Sequence, residues 1–191
     1  ELRTPLTALK TSIEVSLRDR KLNLKEAKAL LTSNLEEVNN LQSLSNDLIR
    51  LAQYPETGNS LVFETVSLQE VIQAALKKVD SLARQKKIAF EDKTTDHMLE
   101  GDRASLVDLF VVFFDNAIKF SPEKKTVSIT SRALDHSIAI DIKDEGIGIS
   151  AEELPHIFDR FYRVDKSRSK GTSSGYGLGL SIAKKIVEQH K

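Results

Sequence analysis

A predicted helical segment at residues 115–120 carries three side chains that could hold a nucleotide. Lys119 and Phe120 stand three and four positions after Asn116, so a helix places them on one flank. An asparagine carbonyl oxygen could complete the oxygen shell of Mg²⁺, while the lysine could contact a phosphate and the phenylalanine could pack on a base. An ordinary amphipathic helix with a locally hydrogen-bonded asparagine would contain the same residues.

An acidic, glycine-rich segment at residues 144–149, here termed the first glycine segment, follows a predicted strand. A carboxylate at the end of a strand, in this case Asp144, can accept a hydrogen bond from an amine such as that of adenine. Gly146 and Gly148 would let the backbone approach a flat ring closely. A simple turn between a strand and a helix is the alternative.

Residues 175–180, the second glycine segment, alternate glycine with Tyr176, Leu178 and Leu180 before the last predicted helix. Glycines at the start of a helix expose backbone N–H groups, and the helix dipole attracts an anion to the same place. The segment is neither a dinucleotide fingerprint nor a P-loop, because no strand precedes it and the lysine–serine/threonine pair is missing. A flexible turn before a terminal helix is equally consistent.

Two stretches lie between the glycine segments. Residues 158–163 hold three aromatic side chains and two arginines, an unusual density in a chain with 6% aromatic residues. A buried aromatic cluster under a loop is the alternative. Residues 164–174 carry charged residues, glycine and serine with almost no apolar anchor, which suits a mobile lid over a nucleotide or simply a solvated loop.

Composition narrows the classes of function. The 191-residue chain carries 28 basic and 28 acidic residues, so it lacks the basic excess that nucleic-acid binding needs. It has no cysteine, which excludes disulfides and thiolate metal sites. No apolar run approaches the roughly 18 residues of a membrane span, so we expect no membrane contact. The chain opens in mid-pattern at Glu1 without an initiating methionine, and we expect it to be a piece of a longer protein.

Two regions must position these side chains. In residues 1–53, apolar residues recur at three- and four-residue intervals along two stripes, which predicts an antiparallel helical hairpin. One hairpin cannot cover both stripes, so we expect a second copy to complete a four-helix bundle. Residues 54–60 are rich in turn formers and predict a linker.

Residues 61–191 mix strands and helices without strict alternation. This pattern predicts an α/β sandwich with helices on one face of a mixed sheet, and therefore an α+β chain overall. Helices are expected from capping boxes at Ser67 and Ser150, from an N-cap at Asp102, and over residues 178–190. Strands are expected at residues 61–66, 88–91, 98–100, 127–134 and 137–142.

In this order, the four segments resemble the N, G1, F and G2 boxes of the ATP-binding domain of sensor histidine kinases. Residues 1–7 resemble the H-box of the same family, starting just after its phosphoacceptor histidine. The resemblance covers nearly the whole chain. It implies a dimerisation and phosphotransfer hairpin at residues 1–53, followed by a catalytic ATP-binding domain of Bergerat type at residues 61–191.

The resemblance also implies roles for individual residues. Asn116 would hold Mg²⁺, and Asp144 would accept a hydrogen bond from the adenine amine of ATP. Phosphates or ribose would be met by Lys119, Tyr162 and Arg163. The base would be surrounded by Phe120, Gly146, Gly148 and Ile149. The triphosphate would be wrapped by Gly175, Gly177, Leu178, Gly179 and Leu180.

For the reaction, the resemblance implies transfer of the ATP γ-phosphoryl to a histidine and then to an aspartate of a response-regulator receiver domain. Glu1 would act as general base beside that histidine, and Thr4 would orient water when the regulator is dephosphorylated. The chain would form a homodimer through the hairpin. It would be the cytoplasmic portion of a membrane-anchored sensor.

The chain departs from the family pattern in three ways. Its four histidines, at positions 97, 136, 156 and 190, all lie outside the hairpin, so as given it should bind ATP without phosphorylating itself. Val112 stands where the family often has a second asparagine. Family domains also usually end with two further strands after the last helix, so either a sheet edge is unpaired here or those strands lie outside the given sequence, which would truncate the domain at its C-terminus.

Two alternatives to a kinase stay open. One is a dimeric signalling scaffold that binds nucleotide without phosphotransfer, which Val112 favours. The other is a related ATPase that is not a kinase, and the H-box remnant in the hairpin argues against it.

Overall fold

The computed structural model describes residues 3–19, 22–53, 61–164 and 175–190. The chain divides into two compact units. The first contains helices α1 (Arg3–Arg18) and α2 (Leu24–Gln53), and the second contains the remaining helices and the strands. None of the helices in these ranges combines the length and the hydropathy that crossing a membrane requires.

The first unit is the expected helical hairpin. Its two helices pack on each other, and Ser12 Oγ donates to Asn34 Oδ1 across them at 3.3 Å. A reciprocal cap opens α2, because Glu26 N–H donates to the Asn23 side chain at 2.9 Å and Asn23 N–H donates to the Glu26 carboxylate at 3.2 Å. The apolar stripes remain largely exposed, with Leu31 67% accessible. A single hairpin therefore leaves an apolar surface uncovered.

Three helices build one layer of the second unit: α3 (Leu68–Lys86), α4 (Arg103–Phe120) and α5 (Gly179–Gln189). Both N-caps predicted for the first two are confirmed. The Ser67 hydroxyl accepts from Glu70 N–H at 3.1 Å, and the Asp102 carboxylate accepts from Ser105 N–H at 2.8 Å. Helix α4 packs against both α3 and α5 and is the central helix of this layer.

The strands form a mixed arrangement in two sheets. Strand β1 (Glu64–Ser67) pairs antiparallel with β3 (Met98–Gly101). Strand β2 (Ala89–Lys93) runs parallel to β4 (Thr126–Ala133), which pairs antiparallel with β5 (Ile138–Lys143). The predicted mixed pairing is confirmed. The described strands form two sheets rather than one, because β1 and β3 pair with each other and with none of the other described strands.

The core of the second unit lies between the helices and the three-stranded sheet. Phe114 of α4 is fully buried, and its ring lies 5.2 Å from that of Phe90 on β2, measured between ring centroids. Val127 and Ile129 are both fully buried while their neighbours on β4 are accessible. This alternation is that of a strand with one face on the core. The sheet therefore supports α4 directly.

The short helix predicted from the capping box at Ser150 is wrong. Residues 151–158 form consecutive turns. Glu153 N–H and Leu154 N–H donate to the Ser150 carbonyl at 3.1 and 3.2 Å, which begins a helical turn. The next residue is Pro155, which has no N–H to continue the series.

Candidate functional site

The last two turns of α4 carry the residues of the first predicted segment. Asn116 is half-buried, and among the residues that the structure describes no hydrogen bond is made to its side chain. The Lys119 ammonium lies 2.5 Å from the Asp115 carboxylate one turn earlier. The side chain of Phe120 is 38% exposed. An amide oxygen, a cation and an aromatic ring are thus available at the end of one helix.

The first glycine segment packs against that end of α4. A Cβ atom on Gly146 would lie 2.9 Å from the Phe120 carbonyl oxygen and 2.5 Å from Asp144 Oδ1. No side chain fits there, so the close approach requires glycine. Gly146 N–H donates to Asp144 Oδ1 at 2.7 Å. The carboxylate is exposed, and its second oxygen is left to accept another hydrogen bond.

Glu145 fixes this segment to the start of β4, a role that the sequence analysis missed. Its carboxylate accepts from Lys125 Nζ at 2.9 Å and from Thr126 N–H at 3.0 Å. The Lys125 side chain, followed by the Thr126 amide, holds the pKa of Glu145 below its ordinary value. In the register of β4 with β5, Ser128 faces Lys143. Continued by two residues, this register places position 126 opposite 145, and it could have indicated the bond between Glu145 and Thr126.

The second glycine segment contacts α4 at Val112, four residues before Asn116. A Cβ on Gly179, the first residue of α5, would lie 3.3 Å from Val112 Cγ1. Leu178 is 1% exposed and no side chain caps the start of α5. The Leu178 side chain therefore anchors the helix in the core, and only its backbone is available to a ligand.

The aromatic segment meets the second glycine segment at Gly177. A Cβ on this residue, whose φ is +74°, would lie 2.4 Å from the Tyr162 carbonyl oxygen, and Phe161 N–H donates to the Gly177 carbonyl at 3.0 Å. Phe158 and Phe161 are 38% and 39% exposed, so these rings are not a buried cluster. The Tyr162 hydroxyl donates to the Glu153 carboxylate.

One stripe of α4 therefore joins the predicted segments. Val112, Asn116 and Phe120 follow at four-residue intervals and share a helix face. Val112 touches the second glycine segment and the Phe120 backbone touches the first, which leaves Asn116 between the two contacts. Eight residues of helix span about 12 Å, a length suited to a nucleoside and its phosphates.

Other predicted residues stand apart from this stripe or outside the described residues. Thr4 is an exposed residue of α1. Gly148, with φ of +70°, Ile149 and Leu180 belong to the two glycine segments, and Arg163 is half-buried at the end of the aromatic segment. Glu1, the linker at 54–60 and most of the predicted lid, residues 165–174, lie outside the described residues.

Two family models match this chain. Residues 101–191 match the model described as histidine kinase-, DNA gyrase B-, and HSP90-like ATPase. Residues 1–56 match the His Kinase A (phospho-acceptor) domain. The first match contains α4 and both glycine segments, and the second contains the helical hairpin.

Known proteins agree with both matches. The signal transduction histidine-protein kinase ArlS of Staphylococcus haemolyticus is 35% identical over 190 residues, which is 100% of this chain and 42% of ArlS. The chain spans about two fifths of the length of the curated relatives that it matches.

Solved structures share the fold. The Acinetobacter baumannii histidine kinase AdeS superposes with a TM-score of 0.75 at 26% identity, covering 98% of this chain and 85% of AdeS. The histidine kinase ThkA, in complex with the response regulator protein TrrA, has a TM-score of 0.73 at 23% identity, covering 99% of this chain and 52% of that one. The chain belongs to the sensor histidine kinases of two-component systems, of which it contains a His Kinase A segment and an ATPase-type domain.

Proposed function

We propose that this chain is the catalytic core of a sensor histidine kinase, transferring the ATP γ-phosphoryl to a histidine and then to an aspartate of a response regulator. The observation that carries the proposal is the stripe of α4, on which Asn116 lies between the contacts to the two glycine segments. Residues 1–53 act as the dimerisation and phosphotransfer hairpin, 54–60 as a linker, and 61–191 as the ATP-binding domain.

The residues of the stripe fit a magnesium-bound nucleotide. Asn116 offers a half-buried amide oxygen with no hydrogen bond among the described residues, and Mg²⁺ takes oxygen ligands. Bound Mg²⁺ would neutralise charge on the phosphate oxygens during transfer. Around it, Gly146 and Gly177 let the two glycine segments pack closely against the backbone of Phe120 and Tyr162.

The base and phosphates are recognised by different groups. Asp144 accepts the adenine amine through the oxygen that Gly146 N–H does not use, beside Phe120 and Ile149. The start of α5 offers backbone N–H groups that no side chain caps, and such groups bind phosphate. Lys119 leaves its ion pair with Asp115 and binds a phosphate. Tyr162 and Arg163 contact the phosphates or the ribose from the aromatic segment. The backbone from Gly175 to Leu180 follows the triphosphate.

The hairpin supplies the remaining steps. Its exposed apolar residues, among them Leu31 and Leu35 at 67% and 60%, are covered by the hairpin of a second copy. The acceptor histidine precedes Glu1, which takes a proton from its ring, and Thr4 orients water for dephosphorylation. ThkA is seen bound to a response regulator, which supports a receiver domain as the partner here. In the whole protein, this core is anchored at a membrane on its cytoplasmic side.

The direct test of phosphotransfer is labelling with γ-labelled ATP. The chain, extended at its N-terminus by its natural preceding residues, should show a histidine before Glu1 and take up acid-labile label. The same chain with Asn116→Ala should take up none. An extended wild-type chain that binds ATP and stays unlabelled would contradict the kinase proposal.

One observation favours a second candidate, a nucleotide-binding signalling scaffold. Val112 lies 3.3 Å from the Cβ position of Gly179, so an apolar side chain occupies the stripe next to the phosphate-binding end. A scaffold should bind ATP and dimerise without labelling. In the extended chain, Val112→Asn should then create labelling if the missing polar group is the only defect. A scaffold with further defects should stay unlabelled.

Base recognition has its own test. Asp144→Ala leaves the adenine amine unpaired, at a cost of roughly 1–3 kcal/mol in ATP binding. Wild-type protein should prefer ATP to GTP. If it binds ATP and GTP equally well in calorimetry, Asp144 is not the residue that reads the base.

A further inference from the structure

Helix α4 ends in a way that leaves backbone carbonyls without their usual donors. The carbonyl of Ala117 accepts from Ser121 N–H at 3.1 Å. The carbonyl of Ile118 would take the N–H of residue 122, but Pro122 has none. Ser121 adopts an extended conformation, so the chain leaves the helix without the left-handed cap that often satisfies these groups. The last turn therefore needs a donor from elsewhere in the fold.

Lys86 supplies that donor from a different helix. It is the last residue of α3, and its Nζ donates to the carbonyls of Ile118 at 2.8 Å and of Lys119 at 2.7 Å. A cation at this end of a helix also complements the negative end of the dipole. The backbone carbonyl of Lys86 accepts from Lys124 N–H at 3.2 Å. One residue thus holds both the end of α4 and the segment that follows it.

This last turn sets the geometry of the nucleotide site. It follows Asn116 directly and contains Lys119 and Phe120, whose carbonyl lies against Gly146. A small rotation of the turn would move the Phe120 carbonyl into the narrow space that the glycine occupies, and would shift the Asn116 side chain relative to both glycine segments. Among the described residues, the ammonium of Lys86 donates to backbone carbonyls and not to a carboxylate. Its hydrogen bonds and its charge therefore act on the end of α4.

We propose that Lys86 is a positioning residue for the nucleotide site, which fixes the last turn of α4 so that Asn116 and the first glycine segment keep their spacing. This inference rests on the proposed function, since it names a residue that supports the ATP site. Lys86 itself contacts neither base nor phosphate in this account.

The test compares three variants of the full 191-residue chain. Lys86→Met keeps the aliphatic stem and removes the charge and the donors. Lys86→Arg keeps both. Lys77→Met is the matched control, because Lys77 is an exposed residue of the same helix whose side chain makes no hydrogen bond or ion pair within the described ranges. Each protein is titrated with ATP and Mg²⁺ by calorimetry, well below its melting temperature.

Lys86→Met should weaken ATP binding by about tenfold, equivalent to about 1.4 kcal/mol. Lys86→Arg should remain within about twofold of wild type, and so should Lys77→Met. Hydrogen exchange adds a local readout, because the Ser121 amide should exchange faster in Lys86→Met while amides in the middle of α4 do not. A general loss of stability would instead accelerate exchange along the whole helix and would overturn the positioning role.

Two outcomes separate this inference from the proposed function. If wild-type protein binds no ATP, the proposed function itself fails. If wild-type protein binds ATP and folded Lys86→Met binds it equally well, only the role of Lys86 fails. Should Lys86→Met not fold, Lys86→Ala removes the donors without placing a long apolar side chain at this half-buried position, and unchanged affinity in that variant would overturn the inference in the same way.

Discussion

The two glycine segments both contact α4, but they are held there by different means. Side chains fix the first segment, because Asp144 accepts from Gly146 N–H and Glu145 bonds the start of β4. Backbone contacts and the buried Leu178 side chain fix the second segment, where Gly177 lies against the carbonyl of Tyr162 and no side chain caps α5. In the proposed function, the first segment makes a fixed contact with the base. The second keeps its N–H groups available for phosphates.

Gly177→Ala should give the largest effect of the changes that test this difference. The new Cβ would meet the Tyr162 carbonyl at 2.4 Å, and the φ of +74° would strain any other residue. Positive φ alone costs about 1–2 kcal/mol, and the backbone collision should raise the total loss in unfolding free energy to about 3 kcal/mol or more. Urea unfolding measures this loss.

Gly148→Ala is the matched control for this prediction. Its φ of +70° is similar, but a Cβ there would have nothing within 4 Å. It should therefore show the cost of the backbone conformation alone, about 1–2 kcal/mol. Equal losses in the two variants would mean that the second segment does not lie tightly against Tyr162.

Gly146→Ala should have the next largest effect. The Cβ would lie 2.5 Å from Asp144 Oδ1, which can rotate away, and 2.9 Å from the Phe120 carbonyl, which cannot. Overpacking of this kind costs about 1–3 kcal/mol. Affinity for ATP should fall as well, because the first glycine segment and the end of α4 must move apart to admit the new Cβ. Wild-type affinity in a stable variant would show that the contact between them does not matter for binding.

Glu145→Gln should lower stability at neutral pH and reduce the dependence of stability on pH. The pKa of Glu145 is lowered by its bonds to Lys125 and Thr126, so its contribution is complete above the ordinary carboxyl value. That contribution is lost as the pH falls below about 4 through the lower folded value. Urea midpoints at about pH 7 and about pH 3 should therefore differ more for wild type than for the variant. Equal differences would contradict this link between the first segment and β4.

Gly179→Ala should have the smallest effect. The nearest atom to the new Cβ would be Val112 Cγ1 at 3.3 Å, the end of a side chain that can adjust slightly. Alanine also favours a helix over glycine by up to about 1 kcal/mol. The unfolding free energy should thus change by less than about 1 kcal/mol. A loss comparable to that of Gly177→Ala would mean that α5 is held against α4 more rigidly than its contacts indicate.

Sequence reasoning succeeded where the controlling interactions are local. The N-caps at Ser67 and Asp102 each involve a residue three positions away, and the hairpin of β4 and β5 follows from alternating residues around a turn. The four-residue spacing of Asn116 and Phe120 likewise placed both on one face of α4. The same local reasoning failed at Ser150, where Pro155 interrupts the hydrogen bonds of the expected helix.

Interactions between distant residues could not be predicted in this way. Lys86 bonds carbonyls 32 and 33 positions away, and nothing in the spacing of the sequence indicates that its side chain reaches them. The division of the strands into two sheets depends similarly on β1 meeting β3 across α3 and β2. Gly177 and Tyr162 are likewise far apart in the sequence, and periodicity does not specify their proximity.

The proposed function depends most on Asn116 as the metal-linked contact between the two glycine segments. Calorimetric titration of wild-type chain and of Asn116→Ala with ATP, each with and without Mg²⁺, tests it directly. Wild type should bind ATP more tightly with Mg²⁺, and the variant should lose that gain, about tenfold or more in affinity. An unchanged, magnesium-dependent affinity in folded Asn116→Ala would contradict the account.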